Sequence, residues 1–156
     1  MVYMGSKAKY ADKIVPILQK IIDNNHLITY IEPFVGGANI IDKISCENKF
    51  GFDKNITLIA LHKKMIENCN EIPENGSSDW WYSAKEIYRN GCGNPDKITD
   101  MELWRIGAIA FYGSFSNGGF SRGYAKPTNS RNYYNEAYRN HMLQGERPLY
   151  KDISFQ

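Results

Sequence analysis

Between Ile28 and Ile40 the chain passes from Ile28, Tyr30 and Ile31 through Glu32-Pro33 to Gly36-Gly37-Ala38, and then to apolar residues at Ile40, Ile41 and Ile44. This order predicts a strand, a tight glycine turn and a helix. Glycines at such a turn let the backbone take positive φ and leave no Cβ in the way of a ligand lying across the strand's carboxyl end. The same glycines also suit a plain connection that binds nothing, and both readings stand on this stretch alone.

About twenty residues further on, Lys49-Phe50-Gly51-Phe52-Asp53 predicts a second short strand ending on a carboxylate. That spacing fits one strand-crossover-strand unit, and an acid there can accept hydrogen bonds from both ribose hydroxyls. The turn is not the G-x-G-x-x-G of pyrophosphate binders. A ligand with ribose and adenine but no phosphate suits it better.

Glu32-Pro33-Phe34-Val35-Gly36-Gly37, preceded by Met4-Gly5-Ser6-Lys7 and followed by Asp53-Lys54-Asn55, resembles the adenine-specific DNA methyltransferases that use S-adenosylmethionine. Asn117-Gly118-Gly119-Phe120 and Asn129-Ser130-Arg131-Asn132-Tyr133 extend the likeness over nearly the whole chain. It implies a cofactor site of Glu32, Phe34, Gly36, Gly37 and Asp53, with Gly5 and Lys7 closing over the methionine end and Tyr3 near the adenine. Ala38 stands where relatives often have a third glycine.

The implied fold is α/β: a partial Rossmann-like core with a mainly helical insertion. Residues 1–70 would be the cofactor half, 71–147 the DNA-recognition insertion and 148–156 the start of a returning strand. In order along the chain, the apolar pattern at Ala11, Ile14, Leu18, Ile21 and Ile22 predicts a helix with Ser6 as a candidate cap and a kink or break at Pro16. A second helix is expected from Asn55 to Asn68, with Asn55 as its cap. The capping boxes Ser83-x-x-Glu86 and Thr99-x-x-Glu102 predict helices near 83–90 and 100–111.

From Tyr112 to Arg139 the chain is basic and aromatic: Arg122, Lys126, Arg131 and Arg139 stand against Glu136, interleaved with tyrosines and phenylalanines. Such a mixture suits a nucleic-acid face, because cations neutralise phosphates and rings stack on bases. It suits equally a small helical core with ordinary surface arginines. The resemblance favours double-stranded DNA, with Asn117, Arg122, Tyr124, Lys126, Arg131 and Tyr133 as candidate contacts. The overall charge of +2 is too small to argue for nucleic acid unaided.

Apolar residues make up 42% of the 156 and charged residues 23%, as expected of a folded domain of about this size. No run reaches the about eighteen apolar residues of a membrane span, and a cytoplasmic protein is the expectation. Cys46, Cys69, Cys92, His26, His62 and His141 are scattered, which supports neither disulfides nor a metal site.

The family's catalytic Asp/Asn-Pro-Pro-Tyr/Phe segment is missing from these residues, and Asn94-Pro95-Asp96-Lys97 does not replace it. Lys151 to Gln156 reads as the start of the strand leading towards that motif. The chain is therefore expected to bind cofactor without turning over alone. An open sheet edge would then call for a complementing chain, self-association or a rearranged fold. Two uses are compatible with this: the front part of a shortened or split restriction-modification enzyme, or a non-enzymatic regulator or inhibitor derived from one, for example phage-encoded.

Overall fold

The computed structural model describes residues 1, 5–91 and 100–156. Tyr3 and the Asn94-Pro95 segment lie outside the described residues, as do Cys92 and Thr99. The first helix, α1 (Ala11–Asn24), follows a 3-10 turn at Ala8–Tyr10. Its inner side, with Ala11, Ile14, Leu18 and Ile22, packs on Ile40 and Ile44. Pro16 neither breaks nor splits the helix. The partner it denies a proton is the carbonyl of Asp12, an exposed residue in the first turn that water can reach. Ser6 does not cap α1, whose N-cap is Tyr10 with no side-chain bond; its Oγ instead accepts the Ala8 amide at 3.1 Å at the head of the 3-10 turn.

β1 (Thr29–Glu32), β2 (Asn48–Gly51) and β3 (Ile153–Phe155) form one parallel sheet with β2 in the middle. Thr29 faces Asn48 and Glu32 faces Gly51, while Gly51 in turn faces Phe155. This aligns the carboxyl ends of all three strands on one rim. Among the described residues, neither β1 nor β3 has a strand on its outer edge.

The crossover from β1 to β2 contains no α-helix, against the sequence expectation. Only residues 33–47 separate the strands, and of these Ile41–Lys43 make a single 3-10 turn. Ala38 at φ 56° precludes regular helix where it was to begin, and Ile44 is already extended.

α2 (Ile56–Asn68) begins as expected, Asn55 Oδ1 accepting the amides of Thr57 and Leu58. α3 (Ser78–Gly91) starts earlier than the capping box suggested. Ser77 Oγ accepts the Trp80 amide, and Ser83 lies inside the helix. α4 (Asp100–Tyr112), α5 (Tyr133–Gly145) and the short α6 (Pro148–Lys151) complete the fold.

α4 crosses α2 so closely that a Cβ on Gly107 would lie 2.2 Å from the Thr57 carbonyl oxygen. This approach merges sheet and helices into one core. Val35, Leu58, Leu61, Trp104, Phe111, Tyr134 and Phe155 all belong to a single buried cluster. No helix among the described residues is long and apolar enough to cross a membrane.

Candidate cofactor pocket

The aligned strand ends carry a cavity of about 240 Å³ above β1 and β2. Glu32, Phe34, Gly36, Gly37 and Asp53 line it, and Gly5 and Lys7 come from the segment before α1. These are the residues the sequence singled out for a cofactor, apart from Tyr3, which is outside the described residues.

Each is held by an identifiable contact. The Phe52 amide donates to the Glu32 carbonyl at 2.9 Å and the Val35 amide to the Phe52 carbonyl at 2.8 Å, extending the β1–β2 ladder into the turn. Asp53 then reaches back to the glycine bend, its Oδ2 accepting the Gly36 amide at 3.0 Å and its Oδ1 the Asn55 amide at 2.9 Å. A carboxylate has about four acceptor positions, so two amide bonds leave capacity for hydroxyl donors from a ligand.

The bend departs from the expected glycine logic at one place. Gly36 takes positive φ, at 49°, and so does Ala38, which is fully buried. A left-handed residue with a Cβ is disfavoured by about 1 kcal/mol. The interior supplies compensating bonds: Gln144 Nε2 donates to the carbonyls of Gly37 at 3.1 Å and Ala38 at 3.0 Å, and His62 Nε2 meets the Gly36 carbonyl at 2.8 Å.

Asn39 fastens the approach segment over the cavity. Its Nδ2 donates to the Met1 carbonyl at 2.8 Å and to Ser6 Oγ at 2.9 Å, bringing Gly5 and Lys7 to the cavity's rim. Glu32 sits deeper, with Oε2 accepting the Ile41 amide at 3.1 Å. Burial raises its pKa to about 7, despite that bond and the nearby Lys7 and Lys43 cations. A buried carboxyl poised near neutrality can take up or release a proton as the charge around it changes. Phe34 is 84% exposed, an apolar ring turned to solvent at the pocket mouth.

The residues singled out for DNA differ in how far their side chains are engaged within the protein. Asn117, at φ 50°, donates from Nδ2 to the Phe111 carbonyl at 2.7 Å and so closes its own loop. Tyr124 is half-buried, in a bridge with Ser114 and against Trp81. Arg131 grips Glu136 through Nε, with both oxygens at 2.9 Å, and lies over the Tyr133 ring at 4.4 Å. Arg122 and Lys126 are exposed. Of the aromatics, Tyr112 and Tyr134 are core residues, and Phe120 packs against Trp81 and Tyr88.

The sequence reading overlooked His62, Gln144, Tyr150 and Asn39. The available signal was His62 itself, which falls among Leu58, Leu61 and Met65 on the buried face of α2, where a polar ring requires a buried partner. Among the described residues, no group of three or more His, Cys, Asp or Glu side chains could hold a metal ion.

The family model for D12 class N6 adenine-specific DNA methyltransferases matches residues 3–145. No curated protein matches the chain.

Proposed function

The chain belongs to the D12 class N6 adenine-specific DNA methyltransferases, and on that premise we propose that the cavity at the strand ends binds S-adenosylmethionine beside a surface for double-stranded DNA. The observation carrying this reading is the meeting of Gly36 and Asp53 at 3.0 Å on a cavity that Glu32, Lys7 and Phe34 also line.

The donor set suits the cofactor chemically. Asp53 would take the ribose hydroxyls, Glu32 would face the cationic sulfonium and ammonium end, and Lys7 would meet the carboxylate. Gly5 would let its segment lie close, and Phe34 would cover apolar surface at the mouth. When bound, the cofactor supplies a methyl group activated by the positive sulfur, which the family places on the exocyclic amine of adenine. The chain's part is to bind and orient it. Residues 1–70 with 148–156 would form this half. Residues 71–147 would present the DNA surface, with Arg122 and Lys126 as its phosphate contacts and Asn117, Tyr124, Arg131 and Tyr133 shaping the loops around them.

One observation favours binding without turnover as the second reading. No Asp-Pro-Pro-Tyr or Asn-Pro-Pro-Tyr segment occurs within these residues, so the hydrogen-bond acceptor and stacking ring for a flipped adenine must come from elsewhere. A segment outside residues 1–156 that carries them, placed beside the open edge of β1, would supply them.

Calorimetry with S-adenosylmethionine tests the cofactor reading. Wild-type protein gives saturable heat, and Gly36→Val, with a branched side chain at positive φ on the cavity wall, abolishes it. Unchanged affinity in that variant would refute the site. Transfer of labelled methyl groups to duplex DNA by the purified chain would overturn the second reading.

A further inference from the structure

Behind the cofactor loop, fully buried side chains from four helices form one unbroken line of hydrogen bonds. The Gly36 carbonyl lies 2.8 Å from His62 Nε2, and His62 Nδ1 lies 2.6 Å from the Tyr150 hydroxyl. That hydroxyl is 3.0 Å from His141 Nε2, and His141 Nδ1 is 2.6 Å from the Tyr112 hydroxyl. Tyr112, His141, Tyr150 and His62 each have 0% exposure.

Proton accounting gives the line a direction. A carbonyl oxygen only accepts, so His62 carries its proton on Nε2 and its Nδ1 must accept. Tyr150 therefore donates to His62 and uses a lone pair to accept from His141 Nε2–H. His141 Nδ1 is left as an acceptor, and Tyr112 donates to it. Every proton is placed and both imidazoles are neutral. Burial independently favours this state, pushing the His62 pKa down to about 3 and holding His141 well below its ordinary value.

The line starts at the last residue of α4, where the basic and aromatic loop departs, and ends on the bend that lines the pocket. That bend contains left-handed Gly36 and Ala38 and depends on outside contacts to keep its shape. We propose that Tyr112, His141, Tyr150 and His62 are positioning residues: their directed hydrogen bonds set the Gly36 peptide and hold the loop in the conformation that receives the cofactor. The cofactor part of this inference rests on the reading of the pocket as an S-adenosylmethionine site.

A far-end deletion distinguishes positioning from simple packing. Without the Tyr112 hydroxyl, His141 can move its proton to Nδ1, and its Nε2 then competes for the Tyr150 proton. His62 loses the donor that fixed its tautomer, and its Nε2 lone pair can be turned against the Gly36 oxygen. Tyr134→Phe is a matched control. Among the described residues its hydroxyl is buried without a partner, and its ring lies 5.3 Å from that of Tyr112.

The experiment combines imidazole nitrogen NMR, backbone amide NMR and calorimetry with S-adenosylmethionine on the full chain. In wild type both His62 and His141 are expected as neutral Nε2–H tautomers. Tyr112→Phe should change the His141 tautomer, shift the Gly36 and Gly37 amides and weaken cofactor binding about threefold to tenfold. Tyr134→Phe should do none of these. An Nδ1–H tautomer or a cationic ring in wild type at neutral pH overturns the proposal, and so do identical spectra and affinities for the two phenylalanine variants. Absence of cofactor heat in wild type refutes the pocket reading instead, while tautomers and amide shifts still decide whether the line positions the loop.

Discussion

The glycine bend at 34–38 and the basic, aromatic stretch at 112–139 both offered binding chemistry in sequence, yet the structure uses them differently. In the first, the polar groups converge: Asp53, Glu32 and Lys7 border one cavity, and the loop's carbonyls turn inward to Gln144 and His62. In the second, much of the apparent binding chemistry is spent inside the protein. Tyr112 and Tyr134 fill the core, Arg131 holds Glu136, and Asn117 holds Phe111. Short-range backbone constraints therefore orient a site more dependably than a favourable mixture of residue types, whose orientation depends on long-range packing.

The largest effect should come from breaking the junction that the two regions share. Gly107→Ala drives a methyl group into the Thr57 carbonyl, a backbone atom that cannot swing aside. A loss of about 3 kcal/mol or more is expected in urea unfolding. If the regions share one core, as the buried cluster indicates, fluorescence and circular dichroism will report a single transition at lower denaturant. Separate transitions would mean that the bend and the basic stretch are stabilised independently.

Asp53→Ala acts on the first region alone. It removes the acceptor for the Gly36 and Asn55 amides as well as the proposed ribose acceptor. S-adenosylmethionine affinity should fall by about 1–3 kcal/mol. Asp53→Asn keeps one acceptor oxygen and should recover part of that loss in the same titration. Equal affinities for wild type and both variants would remove the carboxylate from the site.

The legible parts of the molecule follow the same division. The parallel pairing of β1 and β2, the α2 cap at Asn55 and the meeting of Gly36 with Asp53 could be anticipated because each depends on residues a short distance apart. The absence of a crossover helix could not, because Ala38 takes a left-handed conformation supported by Gln144 from more than a hundred residues away. The start of α3 was missed because two serines compete for the cap and sequence alone does not rank Ser77 above Ser83. The His62 and His141 rings, far apart in the chain, gave no sign of meeting through Tyr150.

Acid should strain the interior behind the bend before it affects the exposed stretch. The His62 and His141 pKa values are depressed in the folded state, so below the ordinary value of 6.5 the unfolded chain binds more protons and stability falls. Each imidazole contributes a loss of about 1.4 kcal/mol per pH unit in that range. The Met1 amine, pushed down to about 4 by burial, acts in the same direction. Glu32 opposes them between its ordinary 4.5 and its folded value of about 7, because there the folded state holds the extra proton. The net expectation is a loss of at least about 1.4 kcal/mol per unit on acidification from pH 6, read from urea midpoints. A flat profile would mean that the rings are not buried neutral.

The smallest effect concerns the exposed stretch and separates its cations. A lysine that meets a phosphate releases a condensed counterion, so removing one such contact should reduce the log-log salt slope of duplex DNA binding by about 0.9. Lys126, exposed on its loop, is expected to show that change on Lys126→Ala. Arg131 already neutralises Glu136 in a two-oxygen grip, so Arg131→Ala should change the slope by less than Lys126→Ala. Its effect should arise instead from loosening Tyr133 and the start of α5, which anisotropy titrations would register as weaker binding at an unchanged slope. If Arg131→Ala instead lowers the slope by a full contact, the Glu136 grip must open on DNA. The basic stretch would then be a surface whose cations are stored in internal pairs and released to the ligand.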